Sequence, residues 1–238
     1  MFGPLAPGSK VEVGDFTVRL DESSDGSMLV YARLKGDSQE SRILLSPSSR
    51  LRLLPSTPRL LPSPGIASCI MVELENPIVV SPGESVTSRI TVPIDFVVES
   101  FTSDSKGSVV DVFHPLKAPK LALYGEPTEG FICRYWRTSI GGEASVGSAS
   151  ARLTVRNEWE KPGKVSLIVA PLPGLRIYYR PGSWEAYVSN ITMAIEGASL
   201  AEVVLGDAGQ AQGYEASPHY EPRRLPGVPP RFSMNWGY

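Results

Sequence analysis

Apolar residues at every second position, in short runs broken by glycine and proline, constrain this chain more than any other feature. Lys10-Val11-Glu12-Val13 and Phe16-Thr17-Val18-Arg19-Leu20-Asp21 alternate in this way, with Gly14 between them. Successive side chains point to opposite faces of a strand, so each run reads as a half-buried strand. Ser27 to Leu34 follows the turn residues Ser23-Ser24-Asp25-Gly26, and Arg50-Leu51-Arg52-Leu53 alternates with both arginines outward. Ala67 to Leu74 is a strongly apolar strand. Asn76-Pro77 interrupts it, Ile78-Val79-Val80 resumes it, and Ser81-Pro82-Gly83-Glu84 makes a turn before Ser85 to Val92 and Pro93 to Val98. The chain holds 22 glycines and 22 prolines in 238 residues. Both residue types end elements, so the chain turns often. Ser and Pro between Leu44 and Pro64 suggest edges and loops there. No stretch demands a helix.

Two prolines in His114-Pro115-Leu116-Lys117-Ala118-Pro119 mark a division into residues 1–118 and 119–238. Beyond it, Leu121–Tyr124, Phe131–Arg137, Ala151–Asn157, Val165–Ala170, Leu175–Tyr179, Ile191–Ile195 and Ala201–Leu205 supply about the number of strands one sandwich needs. Gly141 to Ser150 reads as a hairpin tip. The expected fold class is all-β: two antiparallel sandwich-like (immunoglobulin-like) halves with little or no helix. The tail from Ser217 to Pro230 carries five prolines and reads as an extended strap. Residues 231–236 then form a terminal strand, with Phe232, Met234 and Trp236 on one docking face.

Composition excludes several classes of partner. With 23 basic and 25 acidic residues and a net charge of -2, the chain has no electrostatic footprint for nucleic acid. A polybasic membrane surface is equally absent. The longest nearly unbroken apolar run, Val165 to Leu172, is far short of the ~20 residues of a membrane helix. The start of the chain lacks a signal-peptide pattern, so the expectation is a soluble, cytoplasmic protein without direct membrane insertion. Cys69 and Cys133 lie inside apolar runs. One disulfide is allowed, but the reading taken is that of free thiols buried as small hydrophobes.

The densest functional-looking stretch runs from Tyr124 to Arg137. On a strand, Ile132, Arg134 and Trp136 share one face, and Phe131, Cys133, Tyr135 and Arg137 the other. Arg134 beside Trp136 can form a cation–π pair or clamp a flat or anionic ligand. Tyr124, Glu126, Arg134, Trp136 and Arg137 are therefore the candidate ligand- or partner-binding residues. Glu126 with Glu129, and Asp95 with Glu99, are near enough in sequence for acid/base work but carry no further catalytic signal. His114 and His219 both adjoin proline and have no second ligand at metal spacing. No catalytic residue, metal ligand or cofactor is assigned. A phosphate loop and a Gly-x-Ser-x-Gly elbow are both missing. The sequon Asn190-Ile191-Thr192 sits at a strand start and is discounted. Arg223-Arg224-Leu225-Pro226-Gly227-Val228-Pro229 fits the form bound by SH3-type grooves, and is read as part of the structural strap.

Several blocks carry a family resemblance: Met1-Phe2-Gly3, Glu75 to Val80, Val92-Pro93-Ile94, Leu123 to Pro127, Gly130 to Trp136, Ile177-Tyr178-Tyr179 and Phe232 to Gly237. Over nearly its whole length the chain resembles an uncharacterised archaeal family, domain of unknown function four hundred thirty-two. The Tyr-Gly-Glu-Pro to Cys-Arg-Tyr-Trp block is the most specific part. The resemblance implies an archaeal cytoplasmic source and no established activity, so no functional residue is carried over. It also implies genes that neighbour those of mechanosensitive channels, hence a channel-associated or envelope-stress role. Three readings follow. The first is a non-enzymatic interaction module whose partner is a membrane channel's cytoplasmic part or a second copy of the chain. The second is a small-ligand or carbohydrate binder at Tyr124, Arg134 and Trp136. The third is a hydrolase using carboxylates such as Glu126 and Glu129.

Overall fold

A computed structural model describes residues 1–58, 67–101, 107–115, 119–126 and 129–218, with the backbone of 233–235. The Arg223–Pro229 motif, most of the strap, and the side chains of Phe232, Met234 and Trp236 lie outside the described residues. In chain order the strands are β1 (Gly3–Leu5), β2 (Ser9–Val13), β3 (Phe16–Glu22), β4 (Leu29–Lys35), β5 (Ser38–Leu45), β6 (Arg50–Ser56) and β7 (Cys69–Val80). They continue with β8 (Ser85–Pro93), β9 (Asp95–Phe101), β10 (Ser108–Phe113), β11 (Leu121–Tyr124), β12 (Phe131–Thr138), β13 (Ser148–Asn157) and β14 (Gly163–Pro171). The last are β15 (Ile177–Tyr179), β16 (Ala186–Val188), β17 (Asn190–Ile195), β18 (Leu200–Gly206), β19 (Glu215–Ala216) and β20 (Ser233–Asn235). No helix occurs among the described residues. The protein is all-β, as the alternation implies.

The described residues form four sheets. One is the meander β2-β3-β4-β5, and a second runs β1-β6-β9-β10. A third runs β11-β12-β7-β14. The largest runs β19-β15-β16-β13-β17-β18-β20, with β8 antiparallel to the other side of β13. The third sheet packs on the largest through β7 against β8 and β13, and β14 against β17 and β18. Both sheets are rich in buried apolar side chains, among them Ile90, Val92, Leu153, Val155, Ile168 and Val169. The meander buries Val18, Leu20, Leu29 and Tyr31. An aromatic chain then ties the smaller sheets together, with Phe16 on Phe113, Phe113 on Phe96, and Phe96 on Phe2 and Trp184.

Pairing does not divide at residues 118 and 119. Both β7 and β8, from the first half, lie in sheets built with β12, β14 and β13 from the second. The prolines there mark a change of sheet, not an end of shared hydrogen bonding. The segment after β12 likewise crosses from the third sheet to the largest, so 141–150 is not a hairpin tip. Asn76-Pro77 does not end a strand either. β12 flanks β7 only from Cys69 to Leu74, so Pro77 costs no hydrogen bond on that side. Pro55 sits within β6 for the same reason, since β1 covers only Leu51 to Leu53.

The cysteine expectation is overturned. Cys69 and Cys133 are joined in a disulfide, with Cα atoms 4.4 Å apart. The two are register partners on the parallel strands β7 and β12. A separation of 64 residues hides that neighbourhood from the sequence.

Candidate functional site

The β11–β12 hairpin carries every candidate ligand- or partner-binding residue named from the sequence. Its connection depends on glycine at two places. Gly125 has φ +96°, and a Cβ on Gly130 would lie 2.6 Å from the Glu126 carbonyl oxygen and 2.8 Å from that of Tyr124. Both positions reject a side chain. The Gly130 amide donates to the Glu126 carbonyl at 2.6 Å, which closes the turn. From there Leu123 pairs with Ile132 and Leu121 with Arg134. Leu121, Leu123, Ile132, Arg134 and Trp136 therefore share one face.

On that face Arg134 turns inward and is 1% exposed. Its Nη2 stands 3.5 Å from Asp95 Oδ1 at the start of β9. His114, just past β10, brings Nδ1 to 3.3 Å from the same oxygen and 3.2 Å from the Ile94 carbonyl. The Arg134 Nη1 atom is buried and has no hydrogen-bond partner among the described residues. Burial pushes the guanidinium below its ordinary pKa, and the Asp95 carboxylate opposes the shift. Arg134 thus answers a buried carboxylate. No cation–π contact between Arg134 and Trp136 occurs among the described residues, where Arg33, Lys35, Arg52, Lys161 and Arg180 lie over rings instead. Trp136 is half-buried, and its Nε1 donates to Thr91 Oγ1 at 3.1 Å.

The remaining candidates are dispersed. Tyr124 packs against the core, while Glu126, Glu129 and Arg137 are exposed. Asp95 and Glu99 are both buried, but Asp95 meets Arg134 whereas Glu99 pairs with Arg52 at 2.7 Å, so these carboxylates have different partners. Among the described residues no group of three His, Cys, Asp or Glu side chains is placed to hold a metal ion.

Besides the charged Glu126, Glu129 and Arg137, the hairpin exposes apolar side chains. Leu121 is 45% exposed, Leu123 47% and Ile132 40%, and β11 is the outermost strand of its sheet. Protected edges are usually blunted by charge, proline or a bulge. β11 reads Leu-Ala-Leu-Tyr and has none of these, Lys120 standing only at its entry. The alternation at Leu121 and Leu123 was legible, but not which side would stay uncovered. Asp95, and the Arg134 and His114 side chains that meet its carboxylate, were visible only as unconnected residues.

Fold and hairpin together define an all-β protein of largely antiparallel sheets, with a buried disulfide and an apolar outer strand. The chain belongs to the family described as "Protein of unknown function (DUF432)", which matches residues 1–234. No curated protein and no solved structure matches it. No helix among the described residues is long and apolar enough to cross a membrane.

Proposed function

We propose that this chain is a non-enzymatic protein-interaction module that takes an extended segment of a partner as an added strand beside β11. The observation that carries it is the outermost strand with Leu121 and Leu123 nearly half exposed beside Ile132. Strand addition draws affinity from main-chain hydrogen bonds and specificity from alternate side chains. Leucines at alternate positions fit that second need. Separate exposure of Glu126 and Glu129 supports the interaction reading over carboxylate hydrolysis. Inward placement of Arg134 weighs against a ligand clamp there.

The partner is the cytoplasmic part of a mechanosensitive channel, a choice that rests on the family resemblance, and the setting is cytoplasmic. A disulfide is rare in that compartment except in hyperthermophilic archaea, which agrees with the archaeal source the resemblance implies. Binding of a purified channel cytoplasmic domain to the intact chain and to Leu121→Lys/Leu123→Lys tests the reading. The double variant should bind at least about tenfold more weakly, while its melting stays within about 0.5 kcal/mol of the parent, as for other surface changes. Equal binding by both forms would sink the β11 surface. Self-association of the intact chain, abolished by the same variant, would replace the channel with a second copy.

A further inference from the structure

On the outward side of the largest sheet, β8 and β13 place Arg89 directly opposite Arg152. Directly opposed side chains on antiparallel strands lie about 4.5–5.5 Å apart at Cβ, and like charges there oppose pairing. Neither arginine has an ion-pair partner among the described residues, in a chain with an excess of acidic side chains. A sheet has no structural need for such a pair.

The two arginines line a groove of about 520 Å³, whose lining also includes Ser150, Tyr187, Asn190 and Gln210 and contains no carboxylate. One wall is the segment Ala208 to Ala211, and its shape is held by hydrogen bonds already made within the protein. The Tyr187 hydroxyl donates to the Gly209 carbonyl at 2.8 Å and accepts from the Ala211 amide at 2.7 Å. The Asn190 amide donates to the Asp207 carbonyl at 3.0 Å, and Asp207 Oδ1 accepts from the Gly209 amide at 3.0 Å. Tyr187 is itself stacked on Tyr178, with ring centroids 5.0 Å apart. The wall is therefore built before any ligand arrives, which lowers the ordering cost of binding.

We infer that this groove binds a small hydroxylated molecule through its phosphate monoester, held between Arg89 and Arg152. A dianion removes the repulsion between the guanidinium groups, and each guanidinium can engage two phosphate oxygens. A bare phosphate would leave much of the volume empty, whereas a sugar-sized carrier suits a groove of this class. The Ser150 hydroxyl and the amide oxygens of Asn190 and Gln210, whose nitrogens already donate to the Asp207 and Tyr214 carbonyls, supply acceptors for the hydroxyls of such a carrier.

The test is titration calorimetry on the full chain with glucose 6-phosphate, glucose, inorganic phosphate, and vesicles of phosphatidic acid in phosphatidylcholine. Melting of the ligand-free Arg89→Gln and Arg152→Gln variants is followed in parallel. Glucose 6-phosphate should bind the parent, and each variant should lose about tenfold or more, the share of one charge-assisted contact. Glucose alone should not bind. Both unliganded variants should melt at or above the parent temperature, because the like-charge pair has been relieved. No binding of any phosphate by the parent, or unchanged binding by the variants, would overturn the site. Inorganic phosphate binding as tightly as the ester would overturn the carrier, and tighter binding to the vesicles would overturn the soluble source. A lowered melting temperature in both variants would make the arginines structural.

Discussion

Arg134 and Asp95 hold opposite charges where water contributes little, and buried pairs of this kind respond asymmetrically to substitution. Removing one member leaves the other without its counter-charge, whereas replacing both with uncharged groups of similar size is often nearly neutral. Arg134→Met should therefore cost about 3 kcal/mol in urea unfolding, and Arg134→Met/Asp95→Asn less than that single change. A double variant weaker than the single would show the pair to be net stabilising. A second cluster links the meander to β10. Asp111 accepts from the Tyr31 hydroxyl at 2.8 Å and from Arg33 Nε at 2.7 Å, with Arg33 over Phe16 and Phe113. Burial first, then Asp111, pushes the Tyr31 hydroxyl far above its ordinary pKa, so it stays a donor at all ordinary pH. Tyr31→Phe should cost about 1 kcal/mol, because Arg33 remains on the carboxylate, and Asp111→Ala about 3 kcal/mol, because the buried Tyr31 hydroxyl and the partly buried Arg33 guanidinium both lose their acceptor. In the exposed turn before β4, Asp25 accepts from the Ser23 and Ser27 hydroxyls and the Ser27 amide, which lower its pKa to about 2. A folded-state pKa below the ordinary 3.8 means stabilisation present above that value and lost as pH falls through about 2. Titration followed by NMR should place the Asp25 midpoint near the lower value, and a midpoint at the ordinary one would contradict these hydrogen bonds.

At the scale of the strand, alternation announced most of what forms. The runs at Lys10–Val13 and Phe16–Asp21 lie in β2 and β3, because one face of each is more buried than the other, while Ser85–Val92 lies in β8, which is exposed at its start and buried on both faces from Ile90 onward. β5 went unread because Ser38–Leu45 is mostly exposed and polar at its start, held by pairing to β4 and not by a buried face. β1 and β16 are three residues each, too short to show a period. The terminal strand was legible, and its backbone at 233–235 pairs antiparallel with β18. Composition marked Arg134 and Trp136 as unusual residues on one face, but burial of the arginine depends on β9 and His114 arriving from elsewhere in the chain. The groove of Arg89 and Arg152 needed register: the residues are 63 positions apart, and only the β8–β13 ladder sets them opposite. Pairing of Cys69 with Cys133 tightens β7 against β12 and shortens the unfolded chain's freedom. Reduction, or Cys69→Ala/Cys133→Ala, should lower stability by about 4 kcal/mol in the loop-closure account of a 64-residue span. Identical denaturation midpoints with and without reductant would show that the bond adds nothing to the parallel pairing.

For the molecule as a whole, shared sheets matter more than the prolines near residue 115. Fragments 1–118 and 119–238, expressed separately, should fail to fold, since β7 and β8 would each lose partners on at least one side. Two dispersed NMR spectra from the separate fragments would show independent halves after all. Partners distant in sequence, such as β1 with β6, β7 with β14 and β8 with β13, make non-local pairing the rule. Folding in milliseconds to seconds is expected, because long loops must close before those contacts form. The bond between Cys69 and Cys133 has a mechanical consequence as well. Pulled from its two ends, the oxidised chain cannot pay out the 64 residue steps enclosed between the sulfurs. Its contour length should fall short of the reduced chain's by roughly 220 Å, at about 3.4 Å per extended residue. Force spectroscopy would see that hidden length released in a single step when reductant is added under load.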